Sequence, residues 1–141
     1  MTINIAGVPE HFNLPWHLAI EEGLFAEKGI DLQWTDYSGG TGAMCKALRS
    51  GKTDLAVLLT EGIITDIVKG NPSRIIHSYV SSPLIWGIFV PADSPYQTLA
   101  DTKGKTYAIS RMRSGSHLMA YVDYQQRNWN TDSLKFEVVG G

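Results

Sequence analysis

Residues 30–59 read "IDLQWTDYSGGTGAMCKALRSGKTDLAVLL", and the order of patterns in this stretch decides the fold. Ile30, Leu32 and Trp34 alternate with Asp31, Gln33 and Thr35, the period-two signature of a strand buried on one face. Ser38, Gly39, Gly40, Thr41 and Gly42 follow, with three glycines in four residues. Glycine loses more backbone entropy on folding than any other residue, so such a cluster marks a place where something must come close to the main chain. A helix is predicted from there to about Ser50, with Met44, Ala47 and Leu48 on one face and Gly51 at its end. "DLAVLL" (54–59) then reads as a continuous apolar strand of the kind found in the middle of a parallel sheet. Strand, crossover helix and strand together make a βαβ unit.

The same alternation continues on both sides. "INIAG" (3–7) is a short β-branched strand. The helical stretch "LPWHLAIEEG" has Pro15 in its first turn, where a missing N–H costs nothing, and Gly23 at the position of a left-handed C-cap. "EGIITDIVKG" (61–70) is predicted to be a short helix packing Ile63, Ile64, Ile67 and Val68 inward, with Gly70 and Pro72 closing it. "RIIHSYV" (74–80) and "LIWGIFV" (84–90) are predicted strands. "PADSPYQTLADTKGK" (91–105) carries two prolines among polar residues and marks the lobe boundary. A first α/β lobe is thus expected over 1–90, with the hinge and the start of a second over 91–141. The second opens with strand "TYAIS" (106–110) and loop "RMRSGS". Helix "HLMAYVDYQQRNW" follows, with Leu118, Tyr121, Val122 and Gln125 along one face, and then strand "LKFEVVGG" (134–141). The fold class is α/β, a mostly parallel sheet with flanking helices and right-handed crossovers.

The totals narrow the function. The chain has 141 residues, 43% hydrophobic and 18% charged, which suits one ordinary domain or two small lobes with a real core. A formal charge of −2 and the lack of any basic run longer than "RMR" (111–113) exclude a nucleic-acid footprint. Cys45 is the single cysteine, so no internal disulfide or multi-cysteine metal site can form; inside a predicted helix it reads as a buried, inert thiol. No apolar run reaches the ~18 residues of a membrane span. The start runs straight into a strand without a basic-then-apolar export signal. The location stays open: cytoplasmic if the N-terminus is native, or periplasmic or membrane-anchored extracellular if a signal was trimmed and replaced by Met1.

In open α/β sheets, ligands bind beyond the carboxyl ends of the strands. The strand-to-helix turns there are His11–Trp16, Ser38–Gly42, Thr60–Gly62 and Ser110–His117. A helix start leaves N–H groups unpaired and partly positive, and Gly39, Gly40 and Gly42 would let an anion or polar ligand reach them, with Ser38 and Thr41 adding hydroxyls. The other reading is a tight turn with Thr41 as N-cap. Ser114, Gly115, Ser116 and His117 repeat the arrangement; Arg111 and Arg113 either supply positive charge or are solvated surface. His11, Phe12, Asn13 and Trp16 suit a flat or cationic ligand by stacking and directional hydrogen bonds, while Trp16 reads equally well as core. Thr60 and Glu61 end a strand, and Glu61 either binds an amino group or favours the helix dipole. His17 and His77 read as structural.

These loops, in this order, resemble the substrate-binding proteins of ABC importers for nitrate, sulfonates, taurine and thiamine precursors. The resemblance is carried by "HLAIEEGLFAEKGIDLQW" (17–34), "SGGTGAMCKALRSGKTDLAVLLTEG" (38–62), "LADTKGKTYAISR" (99–111) and "SGSH" (114–117). It implies the type 2 periplasmic-binding-protein-like fold, with two lobes, a ligand in the cleft between them and a second lobe that is here only begun. It also implies a small polar or anionic ligand, a membrane permease as partner, no catalytic residue, no metal and no cofactor. The incomplete second lobe raises the expectation of a homo-oligomer covering its apolar surface. Enzymes on the same fold are the alternative: the fungal-type thiamine-pyrimidine synthase, whose cysteine-rich motif is missing here, or a menaquinone-pathway cyclase, for which His11 or His117 would be the base. A cytoplasmic sensor domain is a third reading.

Overall fold

The computed structural model describes residues 1–140 and divides into two units, Met1–Tyr79 and Val80–Gly141. Residues 80–90, placed with the first lobe by the sequence reading, group with the second unit. The final residue of the predicted strand 134–141 lies outside the described residues.

In the first unit, β1 (Thr2–Gly7) is followed by a 3₁₀ turn (His11–Asn13) and α1 (Leu14–Glu21), then β2 (Asp31–Asp36), α2 (Gly40–Arg49), β3 (Leu55–Ala56) and α3 (Thr60–Val68). The sheet order is β2-β1-β3 and all pairs are parallel. β1 pairs with β2 along its whole length, from Thr2 opposite Asp31 to Gly7 opposite Asp36. The two crossovers run in opposite directions along the sheet, so right-handed connections put α1 and α2 on opposite faces. Ile5 and Ala6 of the central strand are buried, as are Leu32, Met44, Cys45, Ala47 and Ile63. Left-handed glycines stop the chain where the sequence placed them: Gly23 after α1, Gly51 after α2 and Gly70 after α3.

Several expectations need correction. The apolar run 54–59 forms a ladder only at Leu55–Ala56 and is the edge of its sheet, not the middle. It is held there by Asp54 N–H to the Asn4 carbonyl at 2.9 Å and Val57 N–H to the Ala6 carbonyl at 2.8 Å. On α3 only Ile63 is buried; Ile64 and Val68 are exposed, because α3 packs on α2 through one narrow side. Residues 74–80 and 84–90 are not strands: apolar composition favours a pleat, but a strand exists only as part of a ladder with a neighbouring strand, and neither segment joins a sheet among the described residues. His77 is accordingly exposed instead of held in a sheet.

The second unit contains β4 (Thr106–Ile109), α4 (Gly115–Gln126) and β5 (Lys135–Val138), with β4 and β5 parallel. α4 buries Ala120 and Tyr124, and leaves Leu118 and Gln125 exposed, so its inward face is rotated from the predicted one. Tyr124 is the pivot: it is fully buried, meets Tyr107 edge-on at 5.9 Å and accepts the Gly104 N–H at 2.7 Å.

Candidate functional site

Three parallel strands followed by three helices bring the starts of α1, α2 and α3 to one edge of the first sheet. Between β1 and β3 the chain leaves the sheet in opposite directions, the usual position of a ligand crevice in such folds.

The glycine turn is built for close approach. Gly40 has φ 65°, a left-handed conformation that side-chain-bearing residues rarely adopt, and its N–H bonds the Tyr37 carbonyl at 2.9 Å. Gly39, not Thr41, is the N-cap, and no side chain caps the helix. Thr41 lies within the first turn because its methyl packs on Gly62 of α3, where any Cβ would collide with it. The starts of α2 and α3 are thereby locked together. Ser38, Gly39 and Gly42 are exposed, Gly40 is buried and Thr41 half-buried. Thr60 and Glu61 stand exposed at the start of α3.

An aromatic wall rises at the end of β1. Trp16 stacks on Phe25 at 5.9 Å and 7°, and meets Trp34 at 6.3 Å and Tyr79 at 5.8 Å. His17 sits edge-on to Trp34 at 4.9 Å, the structural role expected of it. A Cβ at position 7 would enter the Trp34 ring, so Gly7 is required where that indole crosses β1. Trp34 Nε1 donates to Asp36 at 2.8 Å, and Tyr79 donates to the Phe12 carbonyl at 2.8 Å. Burial pushes the Tyr79 phenol up. His11 is exposed and edge-on to Phe12 at 5.8 Å.

Two polar atoms beside this wall are buried without a partner: Asn13 Oδ1 and Trp16 Nε1. Asn13 is fully buried and spends only its Nδ2, on the Val8 carbonyl at 2.8 Å. Buried polar atoms in folded proteins are nearly always paired, so Asn13 Oδ1 and Trp16 Nε1 are an acceptor and a donor on one short segment that the chain's own groups leave unused. Gly7, Trp34 and Tyr79 were not singled out from the sequence. Trp34 has the same period-two spacing whether it is core or wall, and Tyr79 sits in what reads as a strand.

In the second unit the hydroxyls are used locally. Ser114 caps α4 by accepting the His117 N–H at 3.3 Å. Ser116 Oγ accepts the Ser110 N–H at 3.1 Å and lies 2.9 Å from Ser114 Oγ. His117 Nδ1 accepts the N–H of Arg113, itself left-handed at φ 67°. That leaves the ring proton on Nε2, which is buried and unpartnered, with the ring held between Tyr121 at 5.2 Å and Phe136 at 4.6 Å. Arg111 and Gly115 are half-buried and Arg113 exposed.

A surface hollow of about 350 Å³ lies elsewhere, at the amino end of β2, lined by Ile20, Phe25, Ile30, Leu32 and Asp31. Its lining mixes these apolar side chains with the Asp31 carboxylate, away from the starts of α1, α2 and α3. Among the described residues no group of three or more His, Cys, Asp or Glu could hold a metal, and no helix is long and apolar enough to cross a membrane.

Residues 10–136 match the family model described as NMT1/THI5 like. The chain belongs to the NMT1/THI5-like family. Among solved structures, this NMT1/THI5-like chain is similar to the Candida albicans CA3427 gene product, described as defining a family with the generic periplasmic binding protein fold. The two share 29% identity with a TM-score of 0.84 over 100% of this chain and 46% of the other. The chain thus carries part of the periplasmic binding protein fold and spans less than half the length of that relative. No curated protein matches it.

Proposed function

We propose that this NMT1/THI5-like chain binds a small polar or anionic molecule at the carboxyl edge of its first sheet, and that it serves as the solute-binding component of ABC-type import. The carrying observation is the pair of buried, unpartnered atoms beside the aromatic wall: Asn13 Oδ1 can accept and Trp16 Nε1–H can donate. A flat solute offering one donor and one acceptor would satisfy both, and its face would stack on the indole. An anionic group would find the start of α2, where glycines leave the main chain bare and no side chain caps the amides. Family membership and the periplasmic-binding-protein fold support a ligand-binding role. The partner in transport would be a membrane permease, which recognises the loaded protein.

A thermal-shift screen against taurine, other sulfonates, nitrate, pyrimidines, polyamines and menaquinone precursors tests the proposal. A binder at a hundredfold excess over its dissociation constant raises the midpoint by on the order of 8 °C for a chain of this size. Trp16→Phe keeps a ring in the wall and removes the donor; it is expected to lower the unliganded midpoint modestly, through lost packing on Phe25, Trp34 and Tyr79, and to collapse the ligand shift. A full shift in Trp16→Phe would place the ligand elsewhere.

A further inference from the structure

Charge is divided unevenly along the first unit. Its basic residues, Lys28, Lys46, Arg49, Lys52, Lys69 and Arg74, lie in the last turn of a helix or in the stretch after one. The stretches where β1, β2 and β3 give way to the following helices, 8–13, 36–39 and 57–61, contain Glu10, Asp36 and Glu61 and no Lys or Arg. All three carboxylates are exposed. A helix start brings about half a positive charge, so the starts of α1, α2 and α3 offset only about half of the negative charge there. The edge keeps a net negative charge, felt over a Debye length of about 8 Å at physiological salt. Asp36 belongs to the aromatic wall: its Oδ1 accepts the Trp34 indole N–H at 2.8 Å, and Trp34 meets Trp16. Asn13 reaches the same place, since its amide and the Trp34 ring both border Gly7. The fully buried Asn13 keeps its Oδ1 as an unused acceptor.

We propose, resting on the binding reading above and narrowing it, that the solute carries a positively charged N–H group: a protonated amine or amidine, alone or as the cationic end of a zwitterion, and not a simple anion. Three features favour that charge separately. The Asn13 oxygen needs a donor, and a charged N–H makes the stronger kind of hydrogen bond. The rings of Trp16, Trp34 and Tyr79 lie within 6.3 Å of one another, and the negative face of an aromatic ring attracts a cation. The carboxylates supply the counter-charge, with Asp36 bonded to the wall itself. Asp36 is thus the residue that sets the charge preference. An anionic solute would gain the amides at the start of α2 but would enter against the charge of Glu10, Asp36 and Glu61. In a zwitterion the anionic end takes those amides or the Trp16 N–H, so both orphan atoms of the site are served.

Three probes of one shape read the charge. Para-hydroxybenzamidinium, para-hydroxybenzamide and para-hydroxybenzoate share a flat ring and a phenol oxygen, and each differs from the next by one unit of charge. Their affinities for the 141-residue protein are measured by ¹H–¹⁵N correlation titration at neutral pH and low salt. They are expected to fall in that order, with a span of about tenfold or more between the cation and the anion. Asp36→Asn keeps an oxygen for the Trp34 indole and removes the charge. It is expected to narrow the span to about threefold or less, while the affinity for the neutral amide stays nearly unchanged. An equal or reversed order, with the Trp16 indole and Gly39–Gly42 signals moving, would overturn the charge preference and leave the binding reading standing. A span that Asp36→Asn does not alter would overturn the role of Asp36. Stillness of those signals with all three probes would overturn the charge preference as well. Failure of every compound in the thermal screen would, in addition, remove the binding reading itself.

Discussion

Asp66 shows how single groups tie the first unit together. Its carboxylate accepts from Asn71 Nδ2 and from the Arg49 guanidinium, and Asn71, itself buried, also reaches the Cys45 carbonyl at 3.3 Å. The Asn71 hydrogen bond first, and the Arg49 bond second, hold the Asp66 carboxyl below the usual range. A carboxyl lowered in the folded state contributes stability in full above the ordinary value of about 3.9, and loses it as pH falls through the lowered one. Asn71→Ala is therefore expected to cost about 1–3 kcal/mol at neutral pH, and to shrink the further loss on acidification, both read from urea denaturation at the two pH values. The Cys45 thiol beside this cluster is pushed up, mainly by burial, so it should react with thiol reagents only as fast as the first unit opens. Gly7→Ala is expected to cost about 1–3 kcal/mol and shift the tryptophan emission, since the new methyl must displace the Trp34 indole.

At the scale of elements, the joint between the starts of α2 and α3 is the part most open to a clean test. Gly62 exists because the Thr41 methyl lies against it. Gly62→Ala should destabilise the first unit, and Thr41→Ser, which deletes that methyl, should recover much of the loss. A double-mutant cycle measures the coupling, expected at about 0.5–3 kcal/mol in the restoring direction. Elements of this kind were legible in the sequence where the pattern was local. The alternation of 30–35, the glycine stops at Gly23, Gly51 and Gly70, and the helix following Gly39-Gly40 all follow from residues within one turn of each other. The segments 74–80 and 84–90 were not legible, because composition states what a strand is made of and not whether a partner strand is present. For the same reason "DLAVLL" reads as central and is an edge.

For the whole chain, the parallel pairing of its strands and its family membership followed from the succession of βαβ units and from the spacing of 17–62, whereas the strand order did not. The site was legible in part. Chain order alone sends the strand-to-helix turns of the first sheet to one edge. The roles within them were less so: Thr41 turned from cap to packing residue, Ser114 and Ser116 bond each other, and the aromatic wall joins Trp16 to Tyr79, 63 residues away in sequence. No local pattern carries that contact. The account's central claim is that main-chain amides of the glycine turn and the Trp16 indole together hold a solute. A ¹H–¹⁵N correlation titration of the wild-type protein with the strongest binder from the thermal screen tests it most directly. The account predicts large shifts at the Gly39–Gly42 amides and at the Trp16 indole N–H. Shifts confined to the hollow around Ile20, Phe25 and Ile30, with those signals unmoved, would contradict it.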